Sequence, residues 1–495
     1  MHKSLLKILF LFLLVKPWTG FAQFEVMQTL AKADSSYGYT EIIGFGSSLD
    51  KLPFWMQANQ FGVLPKTAPS GTIRLGAQKI WNLSASDEES HWKFGAAIEA
   101  VGNTGSPAGG ILPQANASLR FKNWELFVGR RKQWVGLADS TMGSGSYAWS
   151  GNALPIPKIQ FGTTKFVNVP LTKGWVAFNA FYSEGLFEKK RPVTSNLRLH
   201  QKMLYIRLGK ESSRLKLYGG LNHQVQWGGQ SPYLTAESNN LPNGFKNYLN
   251  MITGALGGEG AEVTHFDSTS RIGNHLGSID MAAEIETYGV SIFLYRQFIY
   301  EDGTLFYMQA LKDGLNGIRI RRKNSYGAGF EVTEGVFEFL YTKDQGGDEF
   351  IIGDPLKRGI DNYFNNQQVR DGWSYHIRTI GTPFIPPSAD TKWKYPVYAD
   401  NHTSNNRVLS VHMGLRGTIA QRIHWYTKLS YSNNSGAYLA PFTPSANQFS
   451  GLLAFQSHLN FLGGATLKGS LAADIGKLYP TTYGFSLGLR KDFSF

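Results

Sequence analysis

Apolar and polar residues alternate along most of this chain, most plainly in the last stretch, Tyr483 to Phe495. Tyr483, Phe485, Leu487, Leu489, Phe493 and Phe495 take alternate positions, with Gly484, Ser486, Gly488, Arg490, Asp492 and Ser494 between them. Successive strand side chains point to opposite faces, so this segment has one apolar face and one small or polar face. The same pattern recurs at Leu215, Leu217, Leu221, Val225 and Trp227, set against Lys216, Asn222, Gln224 and Gln226. It predicts eighteen strands, the first at 54–64 and the last at 482–495, including 317–332 and 335–344 with a reversal at Thr333-Glu334. Residues 158–183 and 289–300 alternate least cleanly.

Connection lengths sort by parity. If the first strand runs outward, the connections after even strands are short reversals, such as Lys122-Asn123, Glu211-Ser212, Tyr288-Gly289 and Gly463. The long ones, 132–157, 184–198, 228–273, 301–316, 345–405 and 434–447, all follow odd strands. Outer-membrane barrels keep short periplasmic turns and long extracellular loops, whereas a soluble sandwich has no reason to sort its loops this way. The expected fold class is therefore all-β: a transmembrane antiparallel β-barrel of about 18 strands. Pairing of the last strand with the first would leave no edge in lipid. Its domains read as a signal peptide at 1–22, a periplasmic segment at 23–53, and the barrel at 54–495 with extracellular loops 132–157, 228–273 and 345–405.

Composition agrees with that picture. No run of 18 apolar residues follows the N-terminus, which argues against helical spans. Gly at 55 and aromatics at 14% suit many turns and aromatic girdles. Lys3 and Lys7, the apolar Ile8–Val15 and the small-x-small Gly20-Phe21-Ala22 have the order of a secretory signal. The absence of Cys excludes disulfides, thiolate metal sites and a lipid anchor on Cys. The net charge of +13 becomes +10 without Lys3, Lys7 and Lys16. A basic exported chain suits anionic partners, namely surface polysaccharide and lipopolysaccharide phosphate, and nucleic acid is not expected there.

Candidate chemistry lies in the loops. Asp361, Tyr363, Trp373, Tyr375 and Arg378 in the 345–405 loop combine flat rings with hydrogen-bonding groups, as a sugar with an apolar face and a hydroxyl rim requires. The same residues would also serve to hold a long loop's own fold. Arg131, Trp134 and Trp149 in the loop after the fifth strand, and Trp227 at the top of the ninth, make similar groups. Arg130 and Arg131 cannot both enter the lumen, so one could meet pore contents and the other lipid phosphate. Lys216, Gln224, Arg319, Arg321 and Lys323 are expected to face the lumen and would suit anion passage or a polar plug. No HExxH, GxSxG or P-loop occurs. His402 with Ser404 offers a Ser–His pair only in sequence, and Asp344, Asp348, Glu349 and Asp354 lack EF-hand spacing. No catalytic residue, metal or cofactor is expected, and the chain is expected to act as a monomer.

Several segments in consistent order resemble the Wzi-type capsule assembly proteins, in their Bacteroidetes form. They are GRRKQW at 129–134, SYAWSGNALPIPKI at 146–159, QVQWGG at 224–229, IDNYFNN at 360–366 and GWSYHIRTIGTPF at 372–384. The resemblance implies an eighteen-stranded outer-membrane barrel, plugged rather than open. It also implies a lectin-like role in anchoring capsular polysaccharide, without a catalytic reaction or a required metal. A porin-like channel for oligosaccharides or other nutrients is the alternative expectation.

Overall fold

The computed structural model describes residues 36–494 except 84–90, 106–107, 234–238, 254–271, 302–308, 325–326, 328, 352–353, 355–356, 358 and 393. The expected signal peptide and Phe495 lie outside the described residues, as does much of the 228–273 loop.

The sheet contains nineteen hydrogen-bonded segments. Two of these, Lys158–Thr163 and Val167–Asn168, pair with the same neighbour and form one interrupted strand, which leaves eighteen. In chain order the first nine are β1 (Tyr37–Ser47), β2 (Ser70–Asn82), β3 (Trp92–Thr104), β4 (Gly109–Phe121), β5 (Trp124–Arg130), β6 (Lys158–Thr163), β7 (Val176–Leu186), β8 (Arg198–Leu208) and β9 (Leu215–Trp227). The rest are β10 (Asn274–Glu286), β11 (Val290–Glu301), β12 (Gly314–Arg322), β13 (Phe330–Tyr341), β14 (Val408–Ile419), β15 (Ile423–Gly436), β16 (Pro441–Leu459), β17 (Ala465–Gly476) and β18 (Thr482–Ser494). Each pairs antiparallel with its sequence neighbours, and β1 pairs with β18 from Tyr37↔Ser494 to Ser47↔Gly484, closing the barrel.

The first strand is a correction. Residues 37–47, expected in a periplasmic segment, form β1, while the expected strand 54–64 is a short helix, α1 (Phe54–Gln57), followed by irregular chain. In β1 the inward positions carry Tyr37, Tyr39 and Phe45, all buried, and most outward positions are Gly or Thr. The usual outward apolar stripe is therefore missing from its sequence. Conversely Phe54, Trp55 and Met56 are all buried, which consecutive residues of a wall strand with one face outward cannot be. A second correction concerns β12 and β13. The expected reversal at Thr333-Glu334 lies inside β13, where the register against β14 shifts between Val332 and Glu334. A bulge interrupts the alternation just as a turn would.

Burial is inverted relative to a soluble protein. Tyr483, Phe485, Leu487 and Leu489 of β18 are 41–60% exposed, as are Ile73 and Leu75 of β2 and Leu215 and Leu217 of β9. The inward positions hold buried charge: Arg74 bridges Glu41 at 3.1 Å and Glu99 at 2.9 Å. An outward apolar belt on a wall whose inward positions carry charge is the arrangement a bilayer requires. With β1 reassigned, the parity of the connections survives. The long segments 48–69, 131–157, 228–273 and 342–407 all follow odd strands.

Candidate functional site: a filled lumen beneath an aromatic and cationic platform

Three of those long segments fold into the barrel. An irregular backbone inside a barrel needs partners for its N–H and C=O groups, and here the wall supplies many of them. In the 131–157 segment, Leu137 N–H donates to Asp280 of β10 at 2.7 Å, Ser144 N–H to Glu338 of β13 at 2.6 Å, and Tyr147 N–H to Gln297 of β11 at 2.9 Å. The Met142 carbonyl meets His412 Nε2 of β14 at 2.8 Å. From the 48–69 segment, Phe54 N–H donates to Asp474 of β17 at 2.8 Å and Trp55 Nε1 to Ser430 of β15 at 3.0 Å. In the third segment Phe364 N–H donates to Glu301 of β11 at 2.7 Å, and Gln226 of β9 donates to the Gly372 carbonyl at 3.0 Å.

The segments also hold one another. Phe61 N–H donates to the Gly151 carbonyl at 2.7 Å, Thr382 N–H to the Tyr147 carbonyl at 2.8 Å, and Arg378 to the Leu64 carbonyl at 2.7 Å. Trp55, Tyr147, Leu154, Phe364, Trp373 and Ile385 belong to one buried apolar cluster in the lumen. This is a packed core, and it plugs the barrel. Gly381 shows how tight the fit is: a Cβ there would stand 2.1 Å from the Tyr147 carbonyl oxygen and 2.6 Å from the Phe364 ring.

The nine residues expected to touch sugar divide by burial. Tyr363, Trp373, Tyr375 and Arg378 are buried inside the plug. Tyr363 donates its hydroxyl to Asp313 at 2.8 Å, Tyr375 accepts from Arg130 at 2.9 Å, and burial lowers the Arg378 guanidinium to about 10. Trp149 is buried beneath Lys158, whose Nζ stands 5.0 Å from its ring centre. Trp227 is buried between Arg198 and Tyr248 of helix α2 (Phe245–Thr253). Arg131, Trp134 and Asp361 are half-buried, and Arg131 turns inward to Glu125 at 2.5 Å. Arg130 bonds the Leu112 carbonyl and Tyr375, so both arginines are bound within the protein. Of the residues expected in the lumen, Gln224 donates to the Ala148 carbonyl of the plug at 3.0 Å and Lys216 pairs with Glu284 at 3.1 Å. Arg319 and Arg321 pair with Asp139 and Glu334.

On the side of the long connections the plug and the neighbouring loops present half-buried aromatic and cationic residues that the sequence did not single out. Arg370 lies over the ring of Tyr233 at 3.5 Å and donates to the Ala399 carbonyl, with Tyr398 close enough to feel its charge. Arg407 lies over Tyr438 at 3.8 Å, and the Tyr438 hydroxyl donates to the Asp344 carbonyl at 2.9 Å. Lys343 stands beside this pair, its pKa lowered by burial and then by the Arg407 charge. Tyr395 stacks on Phe442 at 4.2 Å. The partners come from different loops, so no sequence window contains them together.

The catalytic and metal candidates resolve differently. His402 Nε2 meets Thr379 Oγ1 at 3.0 Å, while Ser404 Oγ pairs with Ser388 Oγ at 2.9 Å. Burial, with the charges of Arg191 and Lys66, lowers His402 to about 3, so it is neutral at ordinary pH. Asp344 pairs with Lys312 and Glu349 with Lys357. Among the described residues no group of three or more His or carboxylates could hold a metal ion.

A comparison with curated proteins finds no match. Among solved structures, the chain is similar to Wzi of Escherichia coli, described as a carbohydrate-binding β-barrel of the outer membrane involved in group 1 capsule assembly. The identity is 16%, with 95% of this chain and 87% of that one covered and a TM-score of 0.58, a likeness of fold. OccAB4 of Acinetobacter baumannii (8% identity, 93% and 98% covered, TM-score 0.45) and an anion-selective porin of Comamonas acidovorans (11%, 93% and 99%, TM-score 0.39) fall below the similarity at which a shared fold is inferred. The model of the family "Capsule assembly protein Wzi" matches residues 77–386, a span that runs from β2 into the plug's third segment. The chain belongs to the Wzi capsule assembly family.

Proposed function

We propose that this protein is an outer-membrane barrel that holds capsular polysaccharide at the cell surface, binding it on the loop platform without turning it over. The observation that carries the reading is the platform itself: half-buried rings and cations from several loops, set on a packed plug. Aromatic faces suit the C–H faces of sugars, and Arg370, Arg407 and Lys343 suit acidic or hydroxyl-rich ones. Family membership and the carbohydrate binding described for the Escherichia coli protein support the same reading. The buried sugar candidates then act by holding the plug in shape, while Arg131, Trp134 and Asp361 remain candidates for contact at its margins. The protein works as a monomer in contact with outer-membrane lipid.

The direct test is a glycan array, including the host's own capsule, probed with the detergent-solubilised protein. Binding that Arg407→Ala and Arg370→Ala weaken is expected, and no binding to any surface polysaccharide would overturn the reading. In cells, deletion should leave polymer synthesis intact and release capsule to the medium. Steady large single-channel currents would instead favour the porin reading, against which the filled lumen stands.

A further inference from the structure

The strand register places the outward residues of β9 to β13 on successive rungs. Leu221 pairs with Ile279, which pairs with Phe298. One rung nearer the short reversals, Met281, Arg296, Asn316 and Phe339 pair in turn. The next rung holds Ala283, Leu294, Ile318 and Phe337. Met281, Leu294 and Phe337 are 41–60% exposed, so these rungs belong to the apolar belt. The small Ala283 among these larger neighbours lines a shallow, open groove of about 590 Å³ on this outer face.

Arg296 is out of place on such a wall. Charge facing lipid costs most at the bilayer midplane and least near the interface, and long basic side chains climb toward the interface when they can. Arg296 does so. Its guanidinium lies 4.4 Å from the ring centre of Phe298, one rung nearer the rim, and donates to Asn316 Oδ1 at 2.7 Å and the Leu311 carbonyl at 2.6 Å. Both acceptors are neutral. Among the described residues the guanidinium bonds only these neutral groups and no carboxylate, and its Nε is buried without a partner. The wall thus carries an apolar groove with an uncompensated cation at its upper end.

We propose that this groove is a binding site for an acyl lipid with a phosphate head, drawn from the outer leaflet. The chain lies on Ala283, Leu294, Ile318 and Phe337, and the phosphate accepts hydrogen bonds from Arg296. Two features select this occupant: the groove opens on the face that already meets lipid, and the guanidinium lies toward headgroup level, where its charge meets an anion. Bulk lipid around the barrel would need neither the groove nor the cation. The site depends on the barrel's membrane setting, and its failure would leave polysaccharide binding at the loops untouched.

The test is native mass spectrometry of the full-length barrel in detergent, titrated separately with diphosphorylated lipid A, its dephosphorylated form and inorganic phosphate. The diphosphorylated probe should bind best. Arg296→Gln should weaken it about tenfold, the scale of one lost charge-assisted contact, and leave the dephosphorylated probe unchanged. Ala283→Phe should weaken both lipids by filling the groove, and Ile318→Trp serves the same purpose if that variant loses the heat-modifiable migration of a folded barrel. Equal binding of the diphosphorylated probe by the parent and the folded Arg296 or groove variants overturns the proposal. So does inorganic phosphate binding as tightly as the lipid.

Discussion

The wall of this barrel and the plug inside it satisfy the same backbone by opposite means. In the wall, ladder hydrogen bonds pair the strands and side chains are free to sort into lipid-facing and lumen-facing sets. In the plug there is little regular structure, the short hairpin Ser374–Tyr375 with Arg378–Thr379 being one exception, and inward side chains of the wall take over the pairing. Asp280, Gln297, Glu301 and Glu338 act here as extensions of the plug's own hydrogen bonding. The difference predicts that wall and plug fail separately, since one rests on lipid and the other on particular acceptors.

The largest expected effect breaks the wall alone. Leu487→Lys puts a cation on the outward face of β18 where Leu487 is 60% exposed to the bilayer. It should cost about 2–4 kcal/mol if the site lies near the midplane, read as a lowered midpoint for folding into vesicles. A midpoint equal to the parent's would mean that this face does not meet lipid. Next, Gly381→Val should unseat the plug while leaving the wall closed. Overpacking of this kind costs about 1–3 kcal/mol, and here the clash is with the Tyr147 carbonyl and the Phe364 ring. Ion conductance should appear in a barrel that still migrates as folded; a silent, folded variant would mean that the seal does not depend on this contact. Arg407→Ala is expected to be smaller, about 1 kcal/mol in glycan affinity with no change in folding midpoint.

The smallest effect follows from Asp313, which accepts bonds from Asp344 N–H, Gln345 N–H and the Tyr363 hydroxyl. Burial raises its carboxyl from 3.8 to about 6. The folded protein therefore holds this proton more tightly than the unfolded chain does. The resulting stability is whole below 3.8 and declines as pH rises through about 6. Proteolysis of the 342–407 segment should be slower at pH 4 than at pH 7, and Asp313→Asn should flatten that difference. An unaltered pH profile in the variant would assign the effect to another group.

Legibility followed the same division. Most wall strands showed in the alternation because lipid on one side and polar surroundings on the other impose a period of two. β1 escaped because its bulky residues Tyr37, Tyr39 and Phe45 point inward, and Phe54 to Met56 drew the strand assignment instead. In the site, Tyr363, Trp373, Tyr375 and Arg378 stood out by composition, yet their burial puts them in the frame of the platform. Arg370 and Arg407 share the 342–407 segment, but their ring partners Tyr233 and Tyr438 lie in two other loops, and only this cross-loop stacking distinguishes them.

By itself the sequence determined the barrel, its parity and its closing strand, because a bilayer acts on most strands in the same way and leaves a repeating signature. Tertiary structure decided the rest: which segments enter the lumen, that they fill it, and which rings and cations meet at the rim. Those outcomes depend on single contacts between distant segments, such as Ser144 with Glu338 or Arg407 with Tyr438, and such contacts have no period to read.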